Sequence, residues 1–426
     1  MIKKIINNSS VKNAGWLILG RIIQMVISLI VGLLTARYLG PSNYGLINYA
    51  TAYTAFFTAF CTLGINSVLV KEFIDNPDDE GKILGSSLLL RGVSSFLSAG
   101  IIFIVVNIID SGEPITIVVT GLSSIGLLFN IFEVFNYWFQ SKLKSKVTAI
   151  VTLVAYAVTS LYKLVLLVWG KSVEWFAFAM TIDYICVGIL LIYSYKKHGG
   201  KKLEFSIEVS KRILSKSIYF ILPGIMVSVY GYADKFMLKH MLSQAEVGYY
   251  ATATAICSMW CFILSAIIDS VYPSIMRAYN QDIYLFEKKN KQLYAIVFYV
   301  SIIVSIFFVI FGKSVVSVLY GESYMPAVAP LKVVTWYTSF SYLGVARNAW
   351  VVCLNKQRYL KYIYIFSAVA NILLNFVFIP VWGATGAATA SLVTQILTTL
   401  IVPLAIKDLR RNSILMIESI LLKGVC

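Results

Sequence analysis

The sequence predicts an all-α polytopic membrane protein with twelve transmembrane helices, six in each of two lobes related by a pseudo-two-fold axis along the membrane normal. Three observations predict it. Of 426 residues, 59% are hydrophobic and 13% charged, and the mean hydropathy is +0.79, more apolar surface than a soluble domain of this length can hide. Apolar runs of about 20 residues, the length that crosses a bilayer, recur along the chain. The stretch Leu34–Ala52 (LTARYLGPSNYGLINYATA) returns 203 positions later as Met237–Ala255 (MLKHMLSQAEVGYYATATA). At that offset Gly45 falls on Gly248, Ala50 on Ala253, Thr51 on Thr254 and Ala52 on Ala255, without a gap. Two copies of one helix-turn-helix imply two copies of a larger unit.

The first six spans are expected at about 14–36, 44–64, 83–109, 115–139, 147–169 and 174–195. A tight turn at Gly40-Pro41 separates the first two. The basic segment Lys196–Arg212 then reads as a linker between lobes. The second six are expected at about 213–233, 246–272, 292–311, 328–354, 359–380 and 385–406. This gives an N-terminal lobe at 1–206, a C-terminal lobe at 207–406 and a cytoplasmic tail at 407–426. The tail is too short and too polar at its start for a firm span, and it suits an amphipathic helix lying on the membrane. Six spans per lobe is an even number, so the lobes share one orientation, as parallel repeats do. The small-residue run Gly383-Ala-Thr-Gly386-Ala-Ala, which opens the last span, reads as close helix packing.

Charge sets the orientation. The net +16 is assigned to the inner loops of a membrane protein rather than to nucleic acid. Of 36 Lys and Arg residues, 26 fall on segments expected inside. Five (Arg37, Lys171, Lys235, Lys239 and Lys313) fall on outer loops. Both termini are therefore expected in the cytoplasm. The apolar run after Lys12 is too long for a signal-peptide core and lacks a small-residue cleavage site, so the first helix is expected to stay as an anchor.

Several chemistries lack their residues. Cys257 and Cys261 are four residues apart without a nearby His or carboxylate, and they read as packing residues rather than a metal site. No Walker A loop, HExxH, GxSxG or Cys/His metal set occurs, and no loop is long enough for a catalytic domain. The chain is not expected to be an enzyme or to carry a resident cofactor.

Ionisable residues inside spans cost roughly 2.5–3.5 kcal/mol each on insertion scales, so they face a cavity or a partner. Arg21 lies seven residues into the first span, about 10 Å from the boundary at 1.5 Å per residue. Arg91, Glu133 and Arg347 lie at similar depth. Snorkelling to the headgroups is the competing placement for the arginines, and about 10 Å is long for it. Lys163 and Asp183 lie nearer the middle or in the outer half. For Lys163 the cavity and snorkelling placements stand level. Glu133 and Asp183 are also open to a reading as neutral core residues. Asp234 beside Lys235 reads as an outer-end cap and ion pair or as a functional carboxylate. A positive inner layer suits an anionic ligand, because a guanidinium fork matches phosphate or carboxylate. The substrate-binding expectation therefore rests on Arg21, Arg91, Arg347 and Lys163. Tyr49, Tyr53, Asn66, Tyr230, Asn348 and Trp350 could stack on or hydrogen-bond to sugar rings. Glu133, Asp183 and Asp234 are the expected coupling residues, since a buried carboxylate can exchange protons near neutrality.

TARYLGPSNYGLINYATA after the first span, YWFQSKLKSK after the fourth, ADKFMLKHMLSQAEVGYYATA across the seventh and eighth, and GATGAATASLVTQ in the twelfth resemble the bacterial oligosaccharide flippases. These are also called polysaccharide-biosynthesis membrane proteins. The wider superfamily includes multidrug-and-toxin extruders and lipid II flippases. The resemblance covers almost the whole chain, and its motifs say nothing of the sugar. It implies alternating access by two six-helix lobes in the bacterial cytoplasmic membrane. It implies transfer of an undecaprenyl-pyrophosphate-linked oligosaccharide from inner to outer leaflet for surface polysaccharide. It also implies a cationic central cavity and coupling in some members to a proton or sodium gradient. The expected partners are the lipid-linked oligosaccharide, the bilayer, a polysaccharide polymerase and glycosyltransferases, and a monomer is expected. Two other classes compete. An ion-coupled drug or cation extruder would need acids to dominate the cavity, and a membrane polymerase would need a long outer loop.

Overall fold

The structure is a computed structural model that describes residues 9–424; within the first helix, the side chains of residues 9–19, 21 and 22 are outside that description. The Arg21 expectation therefore falls outside it. Among the described residues every regular element is helical. The helices are α1 (Ser9–Thr62), α2 (Asn66–Asp75), α3 (Glu80–Ile109), α4 (Pro114–Asn130), α5 (Val134–Ser141), α6 (Ser145–Val168) and α7 (Val173–Lys197). There follow α8 (Ile207–Met241), α9 (Gln244–Tyr279), α10 (Ile283–Tyr320), α11 (Val328–Cys353), α12 (Leu360–Trp382), α13 (Ala384–Ile396), α14 (Val402–Ala405) and α15 (Lys407–Ile420). A short 3-10 turn, Ile131–Glu133, separates α4 from α5, and a π-helical segment, Leu397–Ile401, follows α13.

Ten helices among the described residues are long and apolar enough to cross a bilayer. The first of these stretches, Ile23–Asp75, is 53 residues long and carries two of the expected spans. The expected turn at Gly40-Pro41 is a kink rather than a loop: Gly40 alone leaves helical geometry, at φ 71°. Proline keeps its φ near helical values and needs no donor there, so the helix resumes at once. Helix α11 is outside the ten, being rich in Thr, Ser, Tyr and Trp, yet its 26 residues reach about 39 Å.

The chain divides into two compact units, one of residues 1–39 and 46–228, the other of 40–45 and 229–426. The division falls inside α8, downstream of the basic linker. The first unit holds two apolar clusters, one around Leu69, Phe73, Phe135, Trp138 and Leu191, the other around Leu46, Val119 and Phe176. The second unit holds one, around Leu293, Tyr294, Leu343, Trp350 and Met416.

Local chemistry sets the helix ends. Ser243 accepts from the Glu246 N–H at 3.3 Å and starts α9. Asp282 accepts from Leu285 N–H at 3.0 Å and starts α10. The Glu246 carboxylate accepts from Ala384 N–H at 2.6 Å, placing a negative charge on the N-terminus of α13. Gly383, at φ +57°, makes that junction.

The glycines singled out by the repeat and by the small-residue run sit at close approaches within the second unit. A Cβ on Gly45 would lie 1.8 Å from the Gln244 carbonyl oxygen, and one on Gly248 2.1 Å from that of Pro41. A Cβ on Gly386 would lie 2.1 Å from the Phe378 carbonyl oxygen of α12. Gly386→Val should therefore force α12 and α13 apart, lower the thermal unfolding midpoint and cost roughly 1–3 kcal/mol. An unchanged midpoint would refute this close packing.

The tail forms α15, whose face of Leu409, Asn412, Ser413, Leu415, Met416 and Ser419 is buried. That face is seated on protein: Leu409, Leu415 and Met416 join the cluster of the second unit. Ion pairs flank it. Asp408 meets Lys356 and the Tyr359 hydroxyl, Glu287 meets Arg411, and Lys291 meets Glu418 at 2.9 Å. The Lys356 ammonium, then the Tyr359 hydroxyl, hold the Asp408 carboxyl below its usual range. A depressed carboxylate stabilises the fold above its unfolded value, about 3.9, and loses that contribution as pH falls through the folded value. Amide-exchange protection of α15 should therefore fall as pH drops below about 4. Asp408→Asn should weaken it already at pH 6, and full protection of that variant would count against the clamp.

Candidate functional site

In the first unit, the apolar run of α3 carries Arg91 into the interior, where it is fully buried. Its Nη1 donates to Asn66 Oδ1 at 3.3 Å, and its Nη2 to the carbonyl and Oδ1 of Asn130 at 3.1 and 2.5 Å. Glu133 lies 3.7 Å away, with its side chain a third exposed. The 3-10 turn makes this possible. It turns the Val134 N–H onto Ile131, and the Asn130 carbonyl accepts from the arginine. Arg91 is thus held by protein groups on three sides, with Nε alone unsatisfied.

Asp183 on α7 accepts from Thr159 on α6 at 3.2 Å. Of the expected site residues of this unit, the structure brings Arg91 and Glu133 into direct contact.

The second unit holds Asp234 and Arg347. Asp234 on α8 is buried and accepts three hydrogen bonds. They come from Tyr250 on α9 at 2.5 Å, Asn375 on α12 at 2.5 Å and Ser391 on α13 at 2.9 Å. Asn371 extends the network to Ser391 and Asn375, and Asn375 Oδ1 is buried without a donor. A cavity of about 260 Å³ opens beside the carboxylate, lined by Tyr230, Lys235, Tyr250, Thr254, Tyr337 and Ser391 among others. Sequence reasoning found Asp234 and missed its partners. The available signal was Asn371-Ile-Leu-Leu-Asn375, two amides one turn apart in an apolar helix, where polar groups are costly.

Arg347 on α11 is 5% exposed. Its Nη1 donates to the Thr398 carbonyl, at 3.2 Å, in the π-helical segment. There the wider turn sends Val402 N–H to Leu397, and Thr398 accepts from the arginine. Its Nε is buried and unsatisfied. Among the described residues no carboxylate lies within ion-pair distance of it. Arg91 and Arg347 thus share one device, a carbonyl at a helix irregularity, and differ in that only Arg91 has a counter-ion.

Multiple long apolar helices with buried polar clusters in their interior define a multi-pass membrane protein. A family model described as polysaccharide biosynthesis protein matches residues 10–279. The chain belongs to that family. It is 20% identical over 404 residues to the capsular polysaccharide biosynthesis protein CapF of Staphylococcus aureus, covering 90% of this chain and 96% of that one. Among solved structures it resembles the lipid II flippase MurJ in an inward closed conformation. There the TM-score is 0.74 and the identity 12%, over 96% of this chain and 91% of that one. It also resembles an inward-facing multidrug resistance MATE family transporter, with TM-score 0.69 and identity 17%, over 92% and 96%. A third likeness is to a MOP superfamily transporter from Pyrococcus furiosus whose binding pocket is described as of reverse polarity. There the TM-score is 0.66 and the identity 13%, over 96% and 97%.

Proposed function

We propose that the chain is a flippase that moves an undecaprenyl-pyrophosphate-linked oligosaccharide from the inner to the outer leaflet of a bacterial cytoplasmic membrane. In this reading residues 1–206 and 207–406 act as lobes that alternate access, and both termini and the tail 407–426 face the cytoplasm. One observation carries it: Arg347 is a buried guanidinium with an unsatisfied Nε and no carboxylate partner among the described residues. An uncompensated buried cation is costly and becomes favourable when an anion such as pyrophosphate arrives. Membership of a polysaccharide-biosynthesis family supports the same class of substrate. Arg21 and Lys163 are the further cations of the proposed path. Arg91 contributes through Glu133, whose carboxylate lies 3.7 Å away and is a third exposed.

Coupling is assigned to Asp234, with Asp183 and Glu133 as secondary carboxylates. A buried carboxylate ringed by hydroxyls and amides supplies the oxygens that a sodium ion needs, or a place for a proton. Asn375 Oδ1, an acceptor without a donor, points to the same need. A polymerase and glycosyltransferases would act before and after the flip, and the transporter would work as a monomer.

Proteoliposomes carrying such a lipid in the inner leaflet should expose its sugar to an impermeant lectin at least tenfold faster than protein-free vesicles. Equal rates would sink the reading.

A further inference from the structure

In the first unit a second cavity, again of about 260 Å³, is lined by Gly20 and Gln24 of α1, Asn136 of α5, and Thr148, Ala149, Thr152 and Leu153 of α6. Among the described residues no ionisable side chain lines it, and Asp234, Arg91 and Arg347 are not part of its wall. Its hydrogen-bonding character is specific. The Thr148 hydroxyl donates to the Ser145 carbonyl at 2.9 Å, and that of Thr152 to the Thr148 carbonyl at 2.9 Å. With their protons committed, both hydroxyls present only lone pairs to the cavity. Asn136 Oδ1 is buried and has no donor at all. The wall therefore offers at least three acceptors, while the amide groups of Gln24 and Asn136 can supply donors.

Among the described lining residues an anion would meet lone pairs, and a cation would find no carboxylate. A neutral ligand rich in hydroxyl donors satisfies the wall. The volume is below the roughly 300–1,000 Å³ of drug-sized sites, which suits one ring rather than a whole oligosaccharide. Gly20 keeps the space open, since its nearest neighbour is Ala149, whose Cβ an added methyl would touch at 3.5 Å.

We propose that this cavity of Gln24, Asn136, Thr148 and Thr152 is a subsite for a single neutral sugar ring. It rests on the flippase reading for the source of that ring, and it separates recognition of the sugar from recognition of the phosphates. Asn136 then acts as a specificity residue, accepting from a ring hydroxyl.

The test is saturation-transfer NMR on the full-length protein in nanodiscs, with free glucose and N-acetylglucosamine as probes. Transfer to ring protons is expected in the wild type and should fall at least threefold in Asn136→Leu and in Thr152→Val. Excess inorganic pyrophosphate should leave it unchanged. Thr152→Val is nearly isosteric, so it keeps the test valid if Asn136→Leu fails to fold. No transfer in the wild type, undiminished transfer in a folded variant, or displacement by pyrophosphate would each overturn the subsite. Lectin exposure in proteoliposomes is measured separately, so the subsite can fail while the flippase reading stands.

Discussion

Arg347→Ala is expected to abolish surface polysaccharide in a complementation assay while the protein accumulates in the membrane at normal levels. The two halves of this expectation have separate causes. Removing a guanidinium that has no counter-ion leaves no orphaned carboxylate behind; it leaves the Thr398 carbonyl short of one donor, a loss of about 1–3 kcal/mol. The π-helical turn around that carbonyl is internal to one helix and can relax. Truncating one side of a buried charge-to-charge contact with a ligand costs roughly 2–5 kcal/mol, and each 1.4 kcal/mol is tenfold in affinity. Transport should therefore fall by more than tenfold. Arg347→Lys keeps the charge and loses the planar fork, so it should fall between the two. Arg91→Ala is the informative contrast. It strips Asn66, Asn130 and Glu133 of their shared partner, so it should lower protein level as well as export. Normal polysaccharide with Arg347→Ala at wild-type abundance would remove this residue from the mechanism.

Asp234→Asn is expected to uncouple transport from the ion gradient. The carboxylate accepts three hydrogen bonds from Tyr250, Asn375 and Ser391. An asparagine of the same shape has one acceptor oxygen and an NH₂ that would face donors. A ligand that binds only the folded state stabilises it by about 2.7 kcal/mol at one hundred times its dissociation constant. Wild-type protein should therefore melt higher as sodium is raised, or respond to pH if the ion is a proton. Asp234→Asn should lose that response. Gradient-driven export should collapse with it, while Asp408→Asn, placed on the tail helix away from this network, should not change the ion response. An Asp234→Asn protein that still answers to sodium and pH as the wild type does would move the coupling elsewhere, with Asp183 and Glu133 next to be tested.

Much of the architecture could be read along the chain. Apolar runs located the helices, and the repeated Gly45 and Gly248 marked a real close approach, since each would drive a Cβ into a carbonyl oxygen. The run from Gly383 to Ala388 signalled packing for the same reason. The turn between two helices at Gly40-Pro41 was legible, and the structure places it on the single non-helical residue Gly40. The tail's helix was legible; its seat was not, because an amphipathic face suits a bilayer and a protein groove alike.

Period and composition are local properties, so the sequence by itself determined the helices, their small-residue crossings and which charges lie inside spans. Tertiary structure decided what those charges mean. Arg91 and Arg347 are alike in type, depth and flanking apolarity, yet one is neutralised by Glu133 and the other is not. The partners of Asp234 come from as far as 157 residues away in the chain. A buried polar group is stabilised by whichever donors the packing of remote helices delivers to it, and that delivery has no signature in the residues beside it.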